Sequence, residues 1–315
     1  MSSPAIDRRI RSLRPPKVKL DPYTAQKTLL EDERRPSGKR EQTLTVFLSG
    51  AECPFTCSFC DLWQFTIDGP TPPGALTAQL ANILGADKPF ADRLKLYNAS
   101  NFFDTRAVPQ IDVVGIATLS RSFAALTVES HANTIGPATL EFAKKISPAR
   151  LEVAVGLETI HPVAASQLNK RLDLARFDSS AKFLLDNGID LRVFVLLGAP
   201  YVGADESIEW TVRTATHAVE RGASIVSIIP VRGGNGELER LQALGHFTPP
   251  TLSQLEESLV QCLDLTNAVV TADLWDAESF AACEDCRSPR IERLRRMNSS
   301  GNTETRIACS TCGGA

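Results

Sequence analysis

The sequence has no long apolar run. No stretch approaches the roughly 20 apolar residues that a membrane-spanning helix needs, so no membrane association is expected. Residues Met1 to Ile10 lack the apolar core of a secretory signal. There is little net charge of either sign, −3 over the whole chain, which argues against bulk electrostatic binding of a polyanion. A phosphate-binding glycine fingerprint is also missing. The run Arg232-Gly233-Gly234-Asn235-Gly236 has the wrong glycine spacing, although it could still cradle a phosphate or close over a substrate. Disulfides are not expected either, because eight cysteines in a chain without an export signal point to the reducing cytosol, and so to a cytoplasmic protein.

What is present is an ordinary globular composition, 43% hydrophobic and 23% charged. A length of 315 residues suits one large α/β domain with a small addition. Residues 1–42 hold eleven Lys and Arg against six Asp and Glu. This basic N-terminal arm is either a solvated leader or a surface for phosphates. Cys53, Cys57 and Cys60 follow directly on a β-rich run that ends at Leu48. Thiolates are soft ligands that select zinc, copper(I) or iron–sulfur centres. Structural zinc wants four ligands, typically in two short pairs, and this triplet supplies three. An iron–sulfur cube held at three corners leaves one iron open, which is the chemistry that the spacing suggests. Buried cysteines packed for their own sake are the alternative.

Strand-like runs then recur at 43–48, 94–98, 125–129, 151–157, 191–197 and 224–230, with helical patterns at 75–84, 137–146, 162–168, 175–187 and 206–221. These short, nearly continuous apolar runs read as buried parallel strands. The rhythm predicts a partial, six-stranded parallel β/α barrel with its site at the carboxyl ends of the strands. That rule selects Asn98, Ala99 and Ser100 after the second strand and Glu129 at the end of the third. It also selects His131 as a candidate titrating group and Glu158 after the fourth strand. Glu129 and Glu158 each end an apolar run, so each needs a cation or hydroxyl partner. An ion pair with Arg192 is one candidate. If Arg192 lines the barrel, its guanidinium could instead clamp a carboxylate bidentately.

The Cys-x-x-x-Cys-x-x-Cys spacing with Phe59 before the last cysteine resembles the signature of the radical S-adenosylmethionine (SAM) superfamily. The runs 98–104, 153–159, 193–200 and 232–241 resemble its elongator-type and methylthiotransferase-type branch, including the archaeosine synthase radical SAM subunit. This resemblance spans residues 43 to 259. It implies a 4Fe–4S cluster on Cys53, Cys57 and Cys60 and SAM bound at its open iron. It also implies reductive SAM cleavage and an external electron donor such as a flavodoxin or ferredoxin. Phe59, Asn98, Ala99, Ser100, Glu129, Glu158 and Arg192 would lie in the cofactor site. In one place the chain departs from the pattern. Glu129-Ser130-His131-Ala132 stands where relatives carry Glu-Ser-Arg-Pro. An RNA base is a substrate the branch suggests, with a partner protein.

Cys283, Cys286, Cys309 and Cys312 form two Cys-x-x-Cys pairs near the spacing of a four-cysteine zinc ribbon. They predict a closed metal site, zinc or an auxiliary cluster, in a tail over 266–315, after a core over 43–265. Arg287, Arg290, Arg293, Arg295 and Arg296 lie between the pairs and could give a basic helical face for RNA. Cys262 in a helix over 252–265 reads as core packing. The competing function is a non-catalytic RNA-binding or adaptor protein that works through the arm and the metal tail.

Overall fold

In the computed structural model, residues 4–85, 90–265 and 268–313 are described. One sheet of eight strands organises the chain: β1 (Lys27–Arg34), β2 (Arg40–Phe47), β3 (Arg93–Tyr97), β4 (Ala125–Ser130), β5 (Arg150–Glu158), β6 (Asp190–Leu197), β7 (Ile225–Pro230) and β8 (Val269–Ala272). Strands β2 to β8 are parallel and follow sequence order, while β1 runs antiparallel to β2. The helices are α1 (Pro4–Leu13), α2 (Ala75–Ile83), α3 (Gln110–Ser120), α4 (Pro137–Ile146), α5 (Pro162–Gln167), α6 (Leu174–Asp186), α7 (Ser207–Glu220), α8 (Glu237–Ala243), α9 (Leu252–Leu263) and α10 (Glu284–Ser300). None is long and apolar enough to cross a membrane.

The expected six parallel strands are there, and the sheet has two more. The seventh parallel strand, β8, is only four residues long and carries too little periodicity to stand out. Strand β1 was expected as part of a basic arm. Its sequence, Lys-Thr-Leu-Leu-Glu-Asp-Glu-Arg, is charged because it lies on the sheet edge. The expected tail likewise gives β8 and α10 to the barrel, and α10 packs against both β1 and β8.

Alternation within the strands decides what each face does. Leu44, Val46, Leu94, Leu96, Leu126, Val128, Leu151, Val153, Val155, Val193 and Val195 point outward into one apolar core with the helices. Each fully buried side chain of this kind contributes about 1.5–3 kcal/mol. The helices carry their own start signals. Thr251 and Gln254 form a reciprocal cap on α9, and Asp173 accepts the Arg176 N–H at the start of α6. Helix α2 starts at Gly74, which has no cap of its own; Asp112 of α3 accepts from Gly74 and Thr77 instead.

The inward face is polar, and near the amino ends of the strands it is charged. Arg192 donates to Glu152 at 2.8 Å and to Glu33 at 3.0 Å. Arg35 reaches Glu152 at 2.7 Å, Lys95 reaches Glu33 at 2.7 Å, and Arg93 reaches Glu41 at 3.3 Å. The Glu152 side chain is fully buried. Burial works against its charge, but Arg192, Arg35 and Arg93 hold its carboxyl far below the usual range. Removing one partner of a buried pair leaves the others uncompensated. Glu152→Gln is therefore expected to destabilise the fold by about 3–5 kcal/mol. Arg150→Ala, which breaks an exposed pair with Asp190, should cost less than about 1 kcal/mol. Denaturant midpoints of the two variants test this ordering.

Candidate metal and cofactor site

The cysteine loop leaves β2 through Ser49 and Gly50, pinned by Gln79 to the Ser49 N–H at 2.9 Å and by Thr71 to the Ala51 N–H at 2.8 Å. Beyond this point the loop is held by side-chain amides from elsewhere in the chain. Asn169 Nδ2 donates to the Thr56 carbonyl at 2.9 Å, and Asn235 Nδ2 donates to those of Ser58 at 2.9 Å and Cys60 at 3.3 Å. The Ser58 N–H reaches the Leu168 carbonyl at 2.9 Å. Asn101 Nδ2 lies 3.3 Å from the Cys53 sulfur.

These contacts set Cys53, Cys57 and Cys60 side by side at the carboxyl end of the barrel. Burial pushes the Cys57 thiol up to about 12, with the Lys170 charge offsetting part of the effect. Burial and then the neighbouring Cys57 raise Cys60 further. Burial also raises Cys53. A metal that binds these sulfurs as thiolates must therefore displace their protons.

The turn after β3 lies opposite. Ala99 has a left-handed φ of 53°. Glu129 was expected to meet a cation, hydroxyls or Arg192; instead its carboxylate accepts the Asn98 N–H at 2.7 Å and those of Ala99 and Ser100. Burial outweighs these bonds and pushes it up to about 7. Both polar side-chain atoms of Asn98 and the hydroxyl of Ser100 are buried without a partner. Glu158, at φ 69° on a bulge of β5, pairs with Lys170 at 2.7 Å. Burial opposes the Lys170 charge, but Glu158 and the cysteines more than offset it and keep it protonated. Its ammonium also lies 5.9 Å from the Phe59 ring. Gly156 has no room for a side chain, since a Cβ there would fall 2.0 Å from the Glu158 carboxylate and 2.8 Å from the Lys170 nitrogen.

Three expectations change. Arg192 neither pairs with Glu129 or Glu158 nor faces the cysteines; the carboxylates at the amino ends of the strands take it. His131 is not free to titrate. Its Nδ1 accepts the Asn133 N–H at 3.1 Å, so the proton is on Nε2, which donates to the Lys170 carbonyl at 2.9 Å. Burial, then the Lys170 charge, lower its pKa to about 3. Its ring stacks on Phe55 at 4.1 Å, so it braces the cysteine loop. The Arg232–Gly236 run is no phosphate cradle, because Glu239 takes the N–H groups of Gly234 and Gly236 and Asp273 takes Arg232.

The four C-terminal cysteines converge. Their sulfurs lie within 4.8 Å of one another, with Cys283 and Cys309 at 3.9 Å and Cys286 and Cys312 at 3.7 Å. Four sulfurs about 2.3 Å from one tetrahedral ion sit about 3.8 Å apart. The spacing is therefore that of a single ion. Among the described residues no other group of three or more cysteine, histidine or carboxylate ligands converges this way. The expected basic face of α10 is mostly used up. Arg290 and Arg293 are buried against Glu256, Arg295 pairs with Glu292, and Arg296 pairs with Glu304.

The barrel shares its fold with solved structures of radical SAM proteins. No protein-family model and no curated relative matches the sequence. Solved structures do. The methylornithine synthase PylB superposes with a TM-score of 0.56 at 15% identity, over 83% of this chain and 70% of its own. A radical SAM methyltransferase from Sphaerobacter thermophilus gives 0.52 at 18% identity, over 81% and 77%. Elp3 from Methanocaldococcus infernus gives 0.52 at 13% identity over 72% of this chain, which spans 59% of that structure's length. At these identities the likeness is one of fold.

The four-cysteine site sits where α10 begins, so it fixes a helix that contributes Ile291, Leu294 and Met297 to the core. Stripping the ion with a chelator, or Cys309→Ser, is expected to lower the melting temperature of the whole barrel rather than free a separate tail. Differential scanning calorimetry that shows an unchanged main transition would contradict this.

Proposed function

We propose that the chain is a radical SAM enzyme whose 4Fe–4S cluster is held by Cys53, Cys57 and Cys60. The single observation that carries this reading is the placement of three half-buried thiols on the loop that leaves the carboxyl end of β2, beside buried groups that still lack partners. The fit extends beyond sulfur. Asn98 and Ser100 have unmatched hydrogen-bonding capacity, and an amino acid-like ligand supplies the ammonium and carboxylate to match it. Lys170 is a buried cation near Cys57 and Cys53, suited to the carboxylate of SAM. Glu129 fixes the 98–100 turn that would present to the amino group, and Phe59 would cover the adenosyl side. When bound and reduced by one electron, this group supplies a 5′-deoxyadenosyl radical. The protein's part is to bind, orient and keep water away.

The electron would come from an external flavodoxin or ferredoxin. For the C-terminal site we infer zinc, since closed four-thiolate structural sites favour it. An RNA base is the substrate class that the sequence resemblance suggests, with a partner protein. The non-catalytic RNA-binding reading is weakened, because Arg9, Arg14 and Lys17 of the arm and four arginines of α10 are already paired with carboxylates.

Anaerobic reconstitution, dithionite reduction and chromatography for 5′-deoxyadenosine test the reading. Cys57→Ala is expected to abolish both the cluster absorbance and SAM cleavage; full cleavage in that variant would remove the assignment. Lys170→Met removes one charge-assisted contact and is expected to weaken SAM binding about 10- to 100-fold while the iron content stays near wild type.

A further inference from the structure

The N-terminal segment that reads as a basic arm lies against the cysteine loop. Asp7 of α1 accepts from Thr56 Oγ1 at 2.6 Å and Asn169 Nδ2 at 3.0 Å through one oxygen, and from Arg171 at 2.5 Å through the other. Thr56 directly precedes Cys57. Asn169 and Arg171 flank Lys170, and both have left-handed φ, 53° and 59°, a conformation that costs a non-glycine residue energy unless its surroundings hold it. One carboxylate thus joins α1, the cysteine loop and the run that carries the buried lysine. Burial works against the charge, but the three donors hold this carboxyl at about 2.

The same segment holds the loop further along. Arg14 pairs with Glu52 at 2.8 Å and lies 4.8 Å from the Trp63 ring, and Lys17 donates to the Thr66 carbonyl at 2.9 Å. On the other side, Arg9 pairs with Glu237 at 2.9 Å. The Leu13 carbonyl fits against Gly236, where a Cβ would come within 2.0 Å of it. Gly236 adjoins Asn235, which holds the Ser58 and Cys60 carbonyls.

We propose that α1 is a clasp on the metal loop and that Asp7 is its positioning residue, holding Cys57 in place and shielded while keeping Lys170 aimed at the thiols. The clasp acts on the apoprotein, so only the identity of the bound group rests on the function proposed above. Asp7→Asn preserves shape, but it loses the ion pair with Arg171 and must turn its amide donor either toward Arg171 or toward Asn169 and Thr56.

In the metal-free protein, iodoacetamide labelling followed by mass spectrometry should show Cys57 reacting about tenfold faster in Asp7→Asn, as expected for the loss of one charge-assisted bond. Cys262 in the core should keep its wild-type rate. Arg171→Gln should give the same increase at Cys57, and the double variant should add little, because the two share one interaction. In the loaded protein, oxygen should bleach the cluster several-fold faster in Asp7→Asn at unchanged initial iron content. A Cys57 rate within twofold of wild type, an equal rise at Cys262, or fully additive variants would overturn the proposal. If the wild type takes up no cluster, the proposed function fails while the labelling result still decides this one.

Discussion

The cysteine loop makes few hydrogen bonds of its own, yet it must hold three thiols still. It does so by borrowing donors. The amides of Asn169 and Asn235 reach carbonyls 113 and 177 residues away in sequence. A backbone carbonyl buried without a partner is costly, so the loop conformation is stable only once the α5–α6 connection and the segment after β7 have arrived. Thiol geometry is therefore a product of barrel closure rather than of the local sequence. This also explains why the asparagines matter as much as the cysteines. The sulfurs supply affinity, and the amides decide where the sulfurs are.

The lumen divides by height along the strands. The amino ends hold a charged layer in which each cation meets at least one carboxylate. Above it the Tyr97 ring contacts both Phe47 and Phe194. The thiols, Glu129, Glu158 and Lys170 lie at the carboxyl ends. Arg192 stands five residues before the end of β6, about 16 Å below it at about 3.3 Å per residue, and two buried carboxylates hold it there. The pairing of Lys170 with Glu158 is separate. The barrel thus keeps Lys170 beside the thiols and holds Arg35, Arg93, Lys95 and Arg192 in a layer that fixes the strands.

Much of this was legible from residues alone. The six central strands stood out because Leu and Val recur along them, and both cysteine sets stood out by spacing. The alternation did not, because Arg93, Lys95 and Glu152 occupy inward positions inside runs that otherwise look apolar. Helix α3 was missed because its apolar residues are spread around it, with Ile111 and Val114 exposed. Lys170 and Asn169 were missed because single polar residues in loops carry no periodic signal. His131 drew attention as a change from an expected arginine. It proved to be a brace because both ring nitrogens meet backbone groups, which only the folded chain can show.

Closing the barrel is a separate problem. A parallel sheet of seven strands with one antiparallel edge strand leaves β1 and β8 with open sides, and exposed edges invite pairing with other chains. Here α10 packs on both strands. Its far end abuts β1, where Arg34 lies against Gly301. Its near end begins at Cys283, just past Phe280, whose ring lies 5.9 Å from Arg232 at the strand tips. The four-thiolate site therefore fixes the end of the closing helix that is nearest the mouth. Helix α10 carries Pro289 inside it, so it leans on the packing of Ile291, Leu294 and Met297. The four cysteines gather at the end of α10 nearest the mouth, so closure there rests on that cluster and on helix packing rather than on strand pairing.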